Sequence, residues 1–291
     1  MKCIGIIFDE RHELIEYVAS RIESEGGEVR FIHYTDLVLR FDSSGLFDGL
    51  DILYLDRMGE RTQGYATQLM LLANIESGQC PIPIVNEPSA YLIARNKALM
   101  YQALWEKNIP IPETAIVYSW EHIDSFLDTH SCRAVVVKSL LGYSAEEVFV
   151  YPDAGNRKGI NDILIRDGMV VVQKYVVREN KYIWRVDIVD GIAVTGSRDY
   201  ACDDQEALPL CNYAQGGESD DVLVCDIPPD IVRCSIDAVK ALSLVVAGVD
   251  VIVDDNGEIY IIEVNPEPNV LFEDAFTKAI ANYLLAQSAG N

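Results

Sequence analysis

Two side chains with hard oxygen donors, Glu263 and Asn265, close a strand-like run in YIIEVNPEPN (Tyr260–Asn269), and Pro266 and Pro268 stiffen the chain directly behind them. Residues two apart on a strand face the same side, so the two donors converge. Asp250 lies on the preceding strand of VAGVDVIVDDNGEIYIIEVNPEPN, and with a turn at Asp255–Gly257 it falls roughly opposite Ile262–Glu263. Hard oxygens with no neighbouring His or Cys suit Mg2+ or Mn2+, usually completed by phosphate oxygens and water. Acids at a strand end beside a proline turn are also commonly solvated caps. The triple alone leaves both readings open.

The cations are spread more widely. Lys97 falls on a helix, and Lys138 ends the apolar strand Ala134-Val135-Val136-Val137. A charge delivered by such a strand either emerges to solvent or meets an anion, because burying it alone is costly. The following LLGYSAEE supplies one Gly and one Ser, Ser144, for a short phosphate-covering loop that is poor in glycine. The run Gln173-Lys174-Tyr175-Val176-Val177 ends another apolar strand at an apparent domain crossing, where backbone groups can read an adenine edge. Arg185 and Arg198 fall on adjacent hairpin strands, and Asn212 precedes Gln215-Gly216-Gly217. Two guanidiniums and an amide can clamp phosphate or carboxylate oxygens. The plainer alternatives are solvated lysines, and arginines paired across strands with Asp187 or Asp199.

The elements that must position these groups read as alternating strands and helices. Cys3–Phe8, Val29–His33, a strand within Phe47–Asp56 and Ile82–Val85 surround a helix over His12–Glu25, which indicates a small parallel α/β domain. There is no GxGxxG after the first strand, so nothing supports a dinucleotide site there. Asn86–Thr114 contains one helix capped by Ser89 and ending before Ile109-Pro110. Strands over Ala115–Tyr118, Ala134–Ser139, Val148–Tyr151 and Met169–Val177 follow, with a helix from about His122. Asp190-Gly191 turns a hairpin between Ile183–Val189 and Ile192–Ser197. A helix over Val232–Val246, a hairpin of Asp250–Val253 with Glu258–Val264, and a helix over Phe272–Leu285 close the chain. The acidic segment Ala201–Asp221 is long enough to be a functional loop.

Composition narrows the classes. The 291 residues are 49% hydrophobic and 24% charged, which is ordinary for a globular protein and long enough for two or three sub-domains. The formal net charge of −23 argues against a nucleic-acid partner, since a phosphate backbone needs a basic face. MKCIGIIFDE opens directly on a strand without the pattern of a signal peptide. The most apolar window, Ala238–Val253, carries Lys240 and Asp250 and is too short to span a bilayer. The expectation is a cytoplasmic protein with no membrane partner. Seven cysteines include no C-x-x-C pair and read as reduced structural thiols.

The order of these signals is more specific than any one of them. In "IVNEPSAYLIARNKALMYQALWEKNIPIPET", "VVVKSLLG" and "VAGVDVIVDDNGEIYIIEVNPEPN" the chain resembles the ATP-grasp ligases, and among them the RimK-like group that adds glutamate or another amino acid to a carboxylate. The resemblance covers nearly the whole length. It implies an α/β (α+β) protein of ATP-grasp fold, with a parallel α/β pre-ATP-grasp domain over residues 1–88. Two α+β lobes enclosing ATP then follow, a central one over 89–175 and a C-terminal one with the metal site over 176–291. By position, Lys97 and Lys138 look like the two phosphate-binding lysines, and Gln173, Lys174, Tyr175 and Val176 would lie along the adenine hinge, with Ser144 in the covering loop. Arg185 and Arg198 resemble the arginines that hold the phosphoryl group and acyl intermediate. Asp250, Glu263 and Asn265 match the ligands of two Mg2+ (or Mn2+) ions, and Asn212 matches the Asn of N-x-x-R-G-G. The chain departs from the family at the loop Gly142–Glu147, at Ile183 where D-I-R has its acid, at Gln215, and at Pro266–Asn269.

The implied activity is an ATP-dependent carboxylate–amine ligase working through an acyl phosphate. Its partners would be an amino acid such as glutamate and a small coenzyme-type acceptor, with a homo-oligomer left open. The competing readings are a ligase for a protein tail or carrier protein, and a non-catalytic nucleotide-binding regulator.

Overall fold

The computed structural model of the chain describes residues 1–36, 47–56, 82–141, 147–178, 180–201, 210, 218–268 and 274–288. The first strand, β1 (Cys3–Phe8), is buried along almost its whole length, as expected of a parallel strand covered on both faces. It lies between β2 (Glu28–His33) and β3 (Ile52–Leu55), and β4 (Ile84–Val85) adds to β3, giving an all-parallel sheet of order β2-β1-β3-β4. Helix α1 (Glu13–Ser24) places Leu14, Ile15, Val18, Ala19 and Ile22 on this sheet at helical spacing.

The expected single helix over the Asn86–Thr114 segment is two helices. α2 (Pro88–Arg95) starts with Pro88 in its first turn, and α3 (Lys97–Glu106) is capped by Asn96, whose side chain accepts from the amides of Ala98 and Leu99. Ser89 instead donates to the Glu87 carboxylate at 3.0 Å. The break decides where Lys97 points, because it makes that residue the first of a new helix.

A second, antiparallel sheet of order β5-β8-β6-β7 holds β5 (Thr114–Val117), β6 (Val135–Lys138), β7 (Val148–Tyr151) and β8 (Val170–Lys174). Helices α4 (Trp120–His130) and α5 (Arg157–Asp167) cover it through Ile123, Phe126, Ile160 and Ile163. α5 has no counterpart in the sequence reading. Its sequence RKGINDILIRD carries few apolar residues, and Gly159 is needed because a Cβ there would strike the Phe149 ring.

The third sheet, β11-β10-β9-β12-β13, is antiparallel. It comprises β9 (Tyr182–Val189), β10 (Ile192–Tyr200), β11 (Ser219–Asp221), β12 (Val246–Val253) and β13 (Ile259–Asn265). The helix expected over Val232–Val246 is instead α6 (Pro229–Ala241). Ser243 takes φ 57°, which ends the helix, and the apolar residues from Val246 onward begin β12. α6, α2 and α3 cover one face of this sheet. On the other face α7 (Asp274–Gln287) packs Phe276, Ile280 and Leu284 between Val189 and Val246 and the first sheet.

Asn86, fully buried at the end of β4, joins the first and third sheets. Its amide nitrogen donates to the carbonyls of Val246 (2.8 Å) and Pro266 (3.2 Å), and its oxygen accepts from the amides of Val245 (2.8 Å) and Val246 (2.9 Å). The proline-stiffened turn after Asn265 is thereby anchored to the N-terminal sheet.

Candidate active site

Residues directly opposite each other in a sheet share a face. Asp250 on β12 pairs with Arg185 on β9 and with Glu263 on β13, so the three form a row across adjacent strands. Arg185 donates from Nη1 to Asp250 Oδ1 at 2.7 Å and from Nε to Asp187 Oδ1 at 3.0 Å. Thr195 donates to the other oxygen of Asp187 at 3.0 Å. Gly248 explains how Arg185 can lie flat across β12: a Cβ there would collide with its guanidinium. Gly248 itself pairs with Asp187 on one side and Asn265 on the other.

The lysines approach from the other elements. Lys97, at the start of α3, reaches Glu263 Oε1 at 3.1 Å. Lys138, at the end of β6 and buried, donates to Tyr101 Oη (2.7 Å), Gln173 Oε1 (3.0 Å) and the Ile262 carbonyl (3.3 Å). Tyr101 is one turn after Lys97 on α3, so the two share a helix face. Between the pairs Asp250/Glu263 and Val251/Ile261 the register slips by one residue, leaving Ile262 as the extra residue of a bulge. The bulge frees its carbonyl to accept from Tyr101 at 2.5 Å.

Electrostatics follow from this crowding. Burial pushes Asp250 up to about 6; Arg185 opposes the shift, and the negative Glu263 adds to it. Burial acts on Glu263 in the same direction, but Lys97 and Lys138 outweigh it and hold that carboxyl at about 2. Burial lowers Lys138 to about 8 against the pull of Glu263 and Asp250. It raises the Tyr101 phenol, with Glu263 adding to the shift, so the hydroxyl keeps its proton. Arg185 is held charged by Asp250 and Asp187 despite burial.

Two crowded carboxylates and an amide oxygen are a donor set that a hard divalent cation would relieve. Arg185 engages one oxygen of Asp250 and Lys97 one oxygen of Glu263, so each carboxylate keeps a second oxygen. Asn265 Oδ1 accepts from the amide of Glu267 at 2.9 Å and retains a second lone pair. Among the described residues no three His, Cys, Asp or Glu side chains are grouped to hold an ion alone. The free oxygens of Asp250, Glu263 and Asn265 fit a cation whose coordination is completed by substrate oxygens and water.

Not every expected residue joins the cluster. Arg198 pairs in register with Trp184, one position out of phase with Arg185, and so lies on the opposite face of the sheet. Its guanidinium sits over the rings of Tyr182 and Trp184 and 3.9 Å from Asp220. Lys174 donates to Glu113 at 3.1 Å. The amides of Lys174 and Tyr175 bond to the carbonyls of Glu113 and Ala134, and the strand ends at Lys174, short of the expected Val177. Ser144, Asn212, Gln215 and Asn269 lie outside the described residues, as do positions 142–146 of the covering loop. Tyr101, Asp187 and Gly248 are contributors that the sequence reading did not assign to the site. The signals were present in part: Tyr101 is four residues from Lys97, and Asp187 is two from Arg185.

A parallel α/β domain followed by two antiparallel lobes, with paired lysines facing paired carboxylates, is the architecture of the ATP-grasp fold. The chain belongs to the RimK-like ATP-grasp domain family, whose model matches residues 94–286. It is 24% identical over 279 residues to the tetrahydromethanopterin:alpha-L-glutamate ligase of Methanocaldococcus jannaschii, covering 91% of this chain and 90% of that protein. Human beta-citrylglutamate synthase B is 23% identical over 215 residues, 73% of this chain and 53% of that protein; this chain thus spans about half of that relative's length. Among solved structures, D-cycloserine synthetase DcsG superposes with a TM-score of 0.73 at 15% identity, covering 97% of this chain and 99% of that one, a likeness of fold. Among the described residues no helix is long and apolar enough to cross a membrane.

Proposed function

We propose that this chain is an ATP-dependent carboxylate–amine ligase that adds an amino acid such as glutamate to a small-molecule acceptor. The observation that carries the proposal is the convergence of Lys97 and Lys138 with Asp250, Glu263 and Arg185. Each lysine comes from a different element, and with Arg185 they meet three carboxylates, Asp187, Asp250 and Glu263, so the cluster is balanced in charge. A nucleotide triphosphate neutralised by its divalent cations can enter such a cluster without leaving a charge unpaired.

In this reading the lysines hold the phosphates, and the adenine edge is read from Val176 onward, because the two preceding amides are engaged. A carboxylate of the acceptor attacks the γ-phosphorus; the P–O bond to ADP breaks and an acyl phosphate forms. Arg185, fixed between Asp187 and Asp250, stabilises the charge on the transferring phosphoryl group. The amine then attacks the acyl carbon, loses a proton, and inorganic phosphate leaves. Divalent cations on Asp250, Glu263 and Asn265, when bound, would supply Lewis-acid charge to the phosphate oxygens. Because Arg198 faces the other side of the sheet, we assign the phosphoryl-stabilising role to Arg185 alone. The boundaries near residues 88 and 175 separate the three sheets and form part of the proposal.

The test is an 18O-transfer experiment with a panel of carboxylate acceptors, glutamate and other amino acids. A ligase of this mechanism moves one 18O from a labelled acceptor carboxylate into inorganic phosphate for each ADP formed. ADP release without label transfer on every acceptor would refute the acyl-phosphate reading.

A further inference from the structure

The Lys138 ammonium has three protons and three protein acceptors: Tyr101 Oη, Gln173 Oε1 and the Ile262 carbonyl. Its hydrogen-bonding capacity is filled, so any phosphate oxygen it binds must replace one of the three. The Ile262 carbonyl, at 3.3 Å, is the longest and so the weakest of them.

The other two acceptors are oriented by their neighbours. Thr114 donates its one hydroxyl proton to the Pro112 carbonyl at 2.7 Å and therefore accepts from Gln173 Nε2 at 3.0 Å. That fixes the amide with Oε1 toward Lys138. Tyr101 has one hydroxyl proton and two acceptors in reach, the Ile262 carbonyl at 2.5 Å and Gln173 Oε1 at 3.4 Å; the proton goes to the nearer, Ile262, leaving the oxygen's lone pair for Lys138. When Lys138 releases Ile262, the carbonyl still has its partner in Tyr101. With Phe in place of Tyr101, that partly buried carbonyl would lose the donor it keeps when Lys138 turns away, which carries a cost.

We propose that Tyr101 is a positioning residue for the nucleotide. It holds the Lys138 ammonium in line and keeps the Ile262 carbonyl satisfied, so that one ammonium proton can turn to a phosphate oxygen. Because Ile262 immediately precedes Glu263, the same hydroxyl couples the phosphate lysine of one sheet to the metal-ligand strand of another. The inference rests on the nucleotide reading of the site.

The experiment is calorimetric titration of ADP, with and without Mg2+, on the full chain and on Tyr101→Phe. The wild type should bind ADP, and more tightly with Mg2+. Tyr101→Phe should weaken ADP binding about 10-fold, the loss of one hydrogen bond to a charged group, and should shrink the Mg2+ enhancement. In a Lys138→Met background the same substitution should leave ADP affinity unchanged, because the lysine it serves is gone. If Tyr101→Phe lowers only the denaturation midpoint while ADP affinity and its Mg2+ dependence match the wild type, the hydroxyl is structural and the proposal is overturned. Absence of ADP binding by the folded wild type would overturn the nucleotide reading itself. Should Tyr101→Phe not fold, Gln173→Leu removes the second acceptor of Lys138. It should weaken ADP binding by a comparable factor, and unchanged affinity there would also overturn the proposal.

Discussion

Gly248→Ala adds one methyl group against the Arg185 guanidinium, and it should disable the site. The Cβ would overlap the Arg185 guanidinium, where Nη2, Cζ and Nε are its nearest neighbours. β12 is held between β9 and β13 and cannot withdraw, so the guanidinium must move. It then loses Asp250 and Asp187, its two partners at 2.7 and 3.0 Å. Removing one partner from a buried charge pair costs about 3–5 kcal/mol. Here the cation is displaced rather than deleted, and its side chain is 15% exposed, so water recovers part of the loss. A cost of about 2–3 kcal/mol in unfolding free energy is expected on that basis. ATP turnover should fall roughly 100-fold, as when one preorganised donor is lost. The assay is urea denaturation with turnover, run on Gly248→Ala, Arg185→Ala and the double variant. In the Arg185→Ala background the alanine should cost under about 0.5 kcal/mol, because the group it strikes is gone. An equal cost in both backgrounds would show that the methyl perturbs the strand itself and not the Arg185 guanidinium.

Asn86→Ala should destabilise the chain by roughly 3–5 kcal/mol, since four hydrogen bonds of about 1 kcal/mol each, three of them buried, are lost and their backbone partners orphaned; a shift under 1 kcal/mol in chemical denaturation would contradict the anchoring role. Lys138 gives a pH signature. Its value in the folded chain is about 8 against 10.5 when exposed, so between these limits the unfolded chain binds more protons and stability rises with pH. Relative to Lys138→Met, the wild type should therefore gain up to about 3 kcal/mol from pH 8 to pH 10.5. kcat/KM for ATP should fall above pH 8 as the charge on the free enzyme disappears, and a profile flat to pH 10 would count against Lys138 as a phosphate ligand.

Much of this site could be read from the order of residues, because the informative groups terminate strands. Lys138, Glu263 and Asn265 each end a run of apolar residues whose period of two fixes the side they face. The hairpin around Asp255–Gly257 likewise placed Asp250 near Glu263, and the observed register pairs them directly. What could not be read depends on contacts between elements distant in sequence. Whether Arg198 shares a face with Arg185 depends on a one-residue phase across the hairpin, and the phase separates them. Tyr101 gains its role only from the Ile262 bulge, a slip with no signature in YIIEVN. The helix expected over Val232–Val246 failed at Ser243, because continuous apolar residues serve a buried strand as well as a helix.

If the site works as proposed, the carboxylate pair and the lysine pair hold a nucleotide with its cation. Titration of Mn2+ by electron paramagnetic resonance, in the presence of saturating ADP, reads this without any acceptor. The wild type should bind Mn2+ with a stoichiometry approaching two per chain, and Glu263→Gln, with an unchanged circular dichroism spectrum, should lose at least one of them. Equal Mn2+ binding by the folded variant and the wild type would contradict Glu263 as a cation ligand and a nucleotide–cation complex at this site.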